Sequence, residues 1–310
     1  MKQFLSKLGL FAILMLAVDQ VIGGALVRMQ RNTDGSDLAY IVDSCHADML
    51  IFGSSRAKRH YDAVMLEDSL GFSCYNCGQD AMGIIHNFAL YNALMKRYQP
   101  KVVIYDVNPA CDLMAIDNNG RFLKGLRPLS SIPEIKQVIE SVDQNYWMKG
   151  WSNLYNLNNN SGLLKIFRKM QASKENQACY NGYMPQEMEF SERKVKKSDR
   201  PVIQQCDQLR LRYMEEFISM SDSVNLILCI SPRWYGMDST YVNRVITLAS
   251  KHRLCLIDYS NDKKYVHNYR YFYDGTHMNV RGAEEFTRDI IDSLKMKKIC
   301  GPFDKYEKFQ

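Results

Sequence analysis

Five short, largely apolar runs, each separated from the next by a segment of helical character or a longer polar stretch, constrain this chain of 310 residues more than any other feature. The runs are Asp48 to Phe52, Phe72 to Tyr75, Val102 to Val107, Val224 to Ile230 and Leu254 to Ile257. Continuous apolar runs of that length read as strands buried on both faces rather than on one. Helical segments are expected at Tyr61 to Leu70, Met82 to Tyr98, Val202 to Ser221, Tyr241 to His252 and Ala283 to Leu294; in the second, Ile85, Phe88, Ala89, Leu94 and Met95 fall near one face. Strands alternating with helices predict an α/β fold, a five-stranded parallel sheet with helices on both faces.

Between Pro109 and Pro201 that alternation lapses into a stretch rich in Asn, Lys and aromatic residues, so residues 110–200 read as a mainly helical insertion in a domain spanning 32–310. Within it, Ile132 to Val142 and Leu163 to Met170 have helical character, and Asn156 to Gly162 reads as a loop. Trp147, Trp151 and Tyr155 form either a small core for the insertion or a stacking surface for sugar rings.

The first 31 residues form a segment of their own. Lys2 and Lys7 precede Leu8 to Val27, in which only Asp19 and Gln20 are strongly polar. The stretch reads as a membrane anchor flanked by Arg28 and Arg31, with the remaining chain outside the cytoplasm. The alternative is a signal peptide cleaved near Gly23-Gly24-Ala25, leaving a secreted protein. At the centre of a bilayer, Asp19 would cost about 2.5 to 3.5 kcal/mol, which apolar neighbours can offset.

A formal charge of +6 is modest, and runs such as Arg193 to Lys197 resemble a solvated loop, so no nucleic-acid partner is expected. Nine cysteines exclude a fully paired disulfide framework within the chain. Cys229 and Cys255 lie in apolar runs as small hydrophobes, while Cys74 and Cys77 have redox-pair spacing but end a strand instead of opening a helix. No second Cys or His pair stands at metal-ligand spacing, and neither metal nor cofactor is expected.

Three strand-end segments carry candidate chemistry, because ligands of open α/β sheets bind beyond the C-terminal ends of the strands. They are Gly53-Ser54-Ser55, the stretch Asn76 to Gly83, and Asp106-Val107-Asn108-Pro109. Asp274-Gly275-Thr276-His277 follows far downstream, just before the last helix. A serine hydroxyl is a weak nucleophile until an imidazole takes its proton, and a carboxylate can hold that imidazole in one tautomer. Taken singly, Ser54 and Ser55 can cap a helix and Asn108 can make a turn; their joint order is what points to a Ser-His-Asp hydrolase or acyltransferase.

In that order these segments resemble the SGNH (GDSL-like) hydrolase superfamily, and within it the membrane-anchored branches of the cell envelope. The resemblance covers roughly Asp48 to Val107 and Val202 to Leu294. It implies a three-layer, flavodoxin-like fold and ester chemistry without a cofactor. By motif position Ser55 would be the nucleophile, His277 the base and Asp274 its partner. The oxyanion would be held by Ser55 N–H, a backbone N–H among Gly78, Ala81 and Gly83, and the Asn108 side chain. Ser54 stands where the commonest motif has Asp, and Ala81 where it has Gly. Arg56, directly after the nucleophile segment, is a candidate substrate-binding cation on a basic rim. The implied substrate is an acylated carbohydrate or envelope glycan, with a membrane acyltransferase as a candidate partner. A non-catalytic protein of envelope polysaccharide assembly on the same scaffold is the rival expectation.

Overall fold

The computed structural model describes residues 1–33, 36–115, 117–123, 125–157, 180–190 and 205–297. The helix expected at Leu163 to Met170 and the loop from Asn158 to Gly162 lie outside these residues. In chain order the elements are α1 (Lys2–Val18), a π-helical turn (Asp19–Gly23), α2 (Gly24–Thr33), α3 (Ser36–Asp43), β1 (Met49–Gly53), α4 (Ser55–His60), α5 (Ala63–Leu70), β2 (Cys74–Asn76), α6 (Ile84–Met95) and β3 (Val102–Asp106). They continue with α7 (Pro109–Asp112), α8 (Pro133–Val142), α9 (Tyr146–Lys149), α10 (Asn153–Asn156), α11 (Gln208–Met220), β4 (Asn225–Ile230), α12 (Ser239–His252), β5 (Cys255–Asp258) and α13 (Val280–Met296). The chain divides into two compact units. One joins Met1–Cys45, Phe88–Arg97 and Asp117–Ala178; the other joins His46–Asn87, Tyr98–Ile116 and Cys179–Gln310.

The second unit holds the sheet. All five strands are parallel, in the order β2-β1-β3-β4-β5. β1 and β3 are buried along their whole length, as the continuous apolar runs require. Met49, Ile51, Val102, Ile104 and Ile227 face one core, closed by Leu66 of α5 and by Phe286 and Ile290 of α13. On the opposite face, Phe52 and Tyr105 meet Phe217 of α11 edge-on, at ring separations of 5.8 and 5.1 Å. Each such side chain, fully buried, contributes about 1.5 to 3 kcal/mol. Local chemistry sets the helix ends: Asp62 caps α5 by accepting from Val64 N–H and Met65 N–H, and Gly71 closes it in the left-handed region at φ 72°.

That strand order has one consequence for the site. It reverses between β1 and β3, and the crevice of a doubly wound sheet opens beyond the C-terminal ends of the two strands where the reversal occurs. Ser54 and Ser55 follow β1, and Asn108 follows β3.

The first unit gathers the N-terminal helices and the described part of 117–157. The side chains of α1 are exposed along its whole length. At the π-helical turn the character changes, because the Asp19 carboxylate is buried and accepts four hydrogen bonds. Ser152 Oγ donates to it at 2.8 Å, Leu154 N–H at 3.0 Å, Asn153 N–H at 3.1 Å and Gln20 Nε2 at 3.0 Å. Two of these donors belong to the first turn of α10, where the N–H groups have no partner within the helix. Asp19 is therefore held by protein donors. Tyr155 packs under the Arg127 guanidinium at 4.7 Å and donates to Asp143 at 2.8 Å, whereas Trp147 and Trp151 are exposed. The small core of this region is thus made by tyrosines and aliphatic residues, not by its tryptophans.

Candidate active site

β1 ends at Gly53, whose φ of 147° suits glycine; a Cβ there would lie 2.8 Å from Asp106 O and 2.9 Å from Ala57 Cβ. This lets the chain turn directly from strand into α4. Ser54 caps α4 by accepting from Arg56 N–H, which leaves Ser55 at its first position.

The hydroxyl of Ser55 lies 2.7 Å from Nε2 of His277, and Nδ1 of His277 lies 2.9 Å from Oδ2 of Asp274. The other Asp274 oxygen accepts from Thr276 N–H at 2.7 Å and His277 N–H at 2.8 Å. The four-residue segment Asp274 to His277 thus forms a tight turn in which one carboxylate holds both the main chain and the ring of the same histidine. The last helix begins only at Val280, so the pair sits in the loop before it. With Asp274 ionised, Nδ1 carries the proton and Nε2 is left to accept from Ser55. Burial alone would raise the Asp274 pKa, but the hydrogen bond and charge of His277, with the two backbone N–H donors, hold it below the ordinary carboxylate range.

A buried histidine fixes the same loop from below. His60, at the end of α4, accepts from Met278 N–H through Nε2 at 3.0 Å. Burial, reinforced by the charges of Arg56, His277 and Arg59, pushes its pKa well below the usual histidine value and keeps the ring neutral.

Arg56 departs from its expected place. It is not on a rim but 1 % exposed, with Nη1 donating to Ser231 O at 3.0 Å and Nη2 to Val107 O at 2.8 Å. Its Nε faces the fully buried Asp106 carboxylate at 3.8 Å. Asp106 also accepts from Tyr61 Oη at 3.1 Å, Ser231 N–H at 2.8 Å and Ser231 Oγ at 3.0 Å. The network ties α4 to the ends of β3 and β4, beneath the serine. Arg59 is engaged as well, by an ion pair to Asp80 and by a bond to Ser55 O at 3.4 Å.

The expected oxyanion donors separate into two groups. Gly78 N–H is committed to Asn76 Oδ1 at 3.0 Å, and the Asn108 side chain donates to Cys111 Sγ at 3.5 Å, a weak acceptor. Among the described residues the N–H groups of Ser55, Ala81 and Gly83 have no acceptor. Ala81 holds φ at 59°, a left-handed conformation that glycine would adopt more easily. Gly78 and Gly83 serve close approach, since a Cβ would come within 2.4 Å of Lys58 N and 2.5 Å of Cys111 O respectively. Asn108 is oriented through its backbone, its N–H donating to Asp112 Oδ2 at 2.6 Å. Burial pushes the Asp112 pKa up to about 7, against hydrogen bonds from Asn108 and Tyr105 that pull it down.

One segment beside this loop was absent from the strand-end candidates although its signal was present: Ser231 to Tyr235 follows β4, a fourth strand end. Trp234 N–H donates to Gly275 O at 3.3 Å, and its ring packs on Phe190 and His267 at 5.6 and 4.8 Å. The Tyr235 hydroxyl stands where a Cβ on Gly275 would be, 2.0 Å away. Cys74 and Cys77 are buried and form no disulfide, and among the described residues no three His, Cys, Asp or Glu side chains gather as a metal site.

No family model and no curated protein matches the chain. Solved structures similar to it include a Bacteroides fragilis protein provisionally named an acylhydrolase, 9% identical, covering 86% of this chain and 96% of that one at a TM-score of 0.42. A family two carbohydrate esterase from Clostridium thermocellum is 8% identical, with 81% and 65% covered and a TM-score of 0.38. An acetyl xylan esterase from Butyrivibrio proteoclasticus is 9% identical, with 82% and 64% covered and a TM-score of 0.35. At such scores the site is understood from its own strand order and hydrogen bonds.

Proposed function

We propose that this chain is an SGNH-type serine esterase or O-acyltransferase, anchored by its N-terminal helix with the sheet unit outside the cytoplasm, acting on an acylated carbohydrate or cell-envelope ester. The observation that carries it is the hydrogen-bonded line Ser55 Oγ, His277 Nε2, His277 Nδ1, Asp274 Oδ2, with links of 2.7 and 2.9 Å. Ser55 Oγ attacks the ester carbonyl carbon while His277 Nε2 takes its proton. The tetrahedral intermediate then expels the alcohol, which leaves with that proton, and the acyl group stays on Ser55. Water or a sugar hydroxyl, deprotonated by His277, releases it. Ser55 N–H and a neighbouring N–H at Ala81 or Gly83 are the open donors for the oxyanion, and a substrate draws the Asn108 amide from its weak sulfur contact. One such donor is worth about 2.7 to 4 kcal/mol in other serine enzymes.

Anchoring is supported by α1, a 17-residue helix exposed on every side and continuous with a turn that packs on protein. Gly23, at the cleavage site expected under the secreted alternative, is packed so closely that a Cβ would lie 2.9 Å from Asn153 Cβ.

A fluorophosphonate probe tests the chemistry. Covalent labelling of the folded chain, abolished by Ser55→Ala, is expected. Absence of labelling in folded protein from neutral to mildly alkaline pH rejects catalysis. The rival reading, a non-catalytic scaffold that binds envelope glycan, draws on Ala81 at positive φ and on the commitment of Gly78 N–H to Asn76. It expects glycan binding unchanged by Ser55→Ala and no labelling.

A further inference from the structure

Four large apolar side chains lie exposed within eight residues of the first unit: Trp147 at 73 %, Met148 at 47 %, Trp151 at 57 % and Leu154 at 46 %. Neither core packing nor the candidate site uses them. Their place in the fold is set by Asp19, whose carboxylate holds Ser152, Asn153 and Leu154, and by Gln20, whose Nε2 donates to Trp151 O at 3.1 Å. The tryptophans are therefore fastened at one end of α1, at the residue where that helix stops being exposed all round and begins to pack on protein. Val21 and Ile22, on the same turn, are also exposed.

The length of α1 says what lies there. Leu8 to Val18 are apolar throughout, and with the Lys2 and Lys7 side chains reaching back to the near interface the seventeen residues of α1, at about 1.5 Å each, span about 26 Å, close to a hydrocarbon core of about 30 Å. With α1 across a bilayer, Asp19 falls at the membrane boundary, and the Trp147–Leu154 surface falls at the same level. Tryptophan favours that level because its ring is apolar and its N–H needs a partner; Trp151 Nε1 already donates to Met148 O at 2.7 Å. Lys149, on α9 with Trp147 and Met148, adds a cation suited to lipid phosphate.

We propose that Trp147, Met148, Trp151 and Leu154 form a platform seated in the headgroup and acyl boundary of the membrane that α1 crosses. It makes a second contact with the bilayer and fixes how the first unit meets the lipid surface. The proposal rests on the anchoring proposed above.

The test uses the full chain in phosphatidylcholine and phosphatidylglycerol vesicles, with and without lipids brominated near the headgroup end of their acyl chains. Flotation reports anchoring, and tryptophan emission reports the platform. Trp147→Phe/Trp151→Phe leaves Trp234 as the one remaining tryptophan, so the difference from the parent isolates the two platform residues. Each single replacement provides the same comparison if the double variant folds poorly. The expected result is flotation of every chain, with brominated lipid quenching most of the emission assigned to Trp147 and Trp151. A chain that floats while those tryptophans remain unquenched overturns the platform alone, whether a glycan or a second copy covers the surface. A chain that fails to float overturns anchoring and platform together, and leaves fluorophosphonate labelling as a separate question.

Discussion

Replacing Arg56 by Met separates a buried structural cation from a substrate-binding one. Methionine keeps much of the apolar stem and removes the guanidinium. Two hydrogen bonds from a charged donor disappear, to Ser231 O and Val107 O, each worth about 1.5 to 3 kcal/mol. Asp106 loses its only buried cationic neighbour within 4 Å among the described residues, while keeping Tyr61 and Ser231 as donors. Removing one partner of a buried ion pair costs about 3 to 5 kcal/mol in general, and that range is expected here near neutral pH. Burial already raises the Asp106 pKa despite Arg56, whose charge lowers it. Without Arg56 the pKa rises further, so the folded carboxyl keeps its proton to higher pH than the unfolded one. The loss of stability is accordingly smaller in mild acid and grows as pH rises. Urea unfolding of detergent-solubilised chain at several pH values measures it, with Asp106→Asn added to Arg56→Met expected to recover part of the loss. Arg56→Lys, whose single ammonium cannot fork to two carbonyls, is expected to lie between parent and Met. An Arg56→Met chain that unfolds at the parent's urea midpoint but shows a raised KM for an anionic ester would refute the buried-network account and restore the rim.

Two further substitutions bear on the site. Asp112→Asn removes a carboxyl held at about 7 in the fold; since that value lies above the ordinary 3.8, the folded chain holds the extra proton and Asp112 costs stability as pH rises from about 4 through about 7, by at most about 4 kcal/mol. Urea midpoints of parent and Asn variant across that window should diverge accordingly, and parallel curves would contradict the burial assigned to Asp112. Asp274→Asn keeps the size of the side chain but removes the charge that holds the proton on His277 Nδ1; a loss of about 10³ to 10⁴ in turnover with little change in KM is expected, as for the corresponding change in a serine protease. A variant retaining more than a tenth of parental turnover would show that Asp274 does not orient His277.

The α/β alternation was legible in the sequence because a strand buried on both faces must be apolar throughout. Each of the five runs became a strand displaced by no more than two residues at either end, as Val102–Asp106 and Asn225–Ile230 show. Ser55, His277 and Asp274 could be singled out together from their order at strand and helix boundaries, and the structure sets their side chains within hydrogen-bond distance. The fate of the basic residues was not legible. Arg56 and Arg59 are three positions apart in one short helix, yet one is buried on Asp106 and the other pairs with Asp80. The difference is made by carboxylates 50 and 21 positions downstream, which no local pattern encodes.

Local pattern and composition alone thus determined that this chain builds a parallel sheet, carries an apolar N-terminal helix and holds serine, aspartate and histidine at element ends. Only the tertiary structure decided the strand order that sets β1 beside β3, the 2.7 Å approach of Ser55 to His277 across 222 positions of chain, and the capture of Asp19 by Ser152 to Leu154. Periodicity and propensity act over a few residues, whereas the burial of a charge and a hydrogen bond between distant side chains depend on which segments meet.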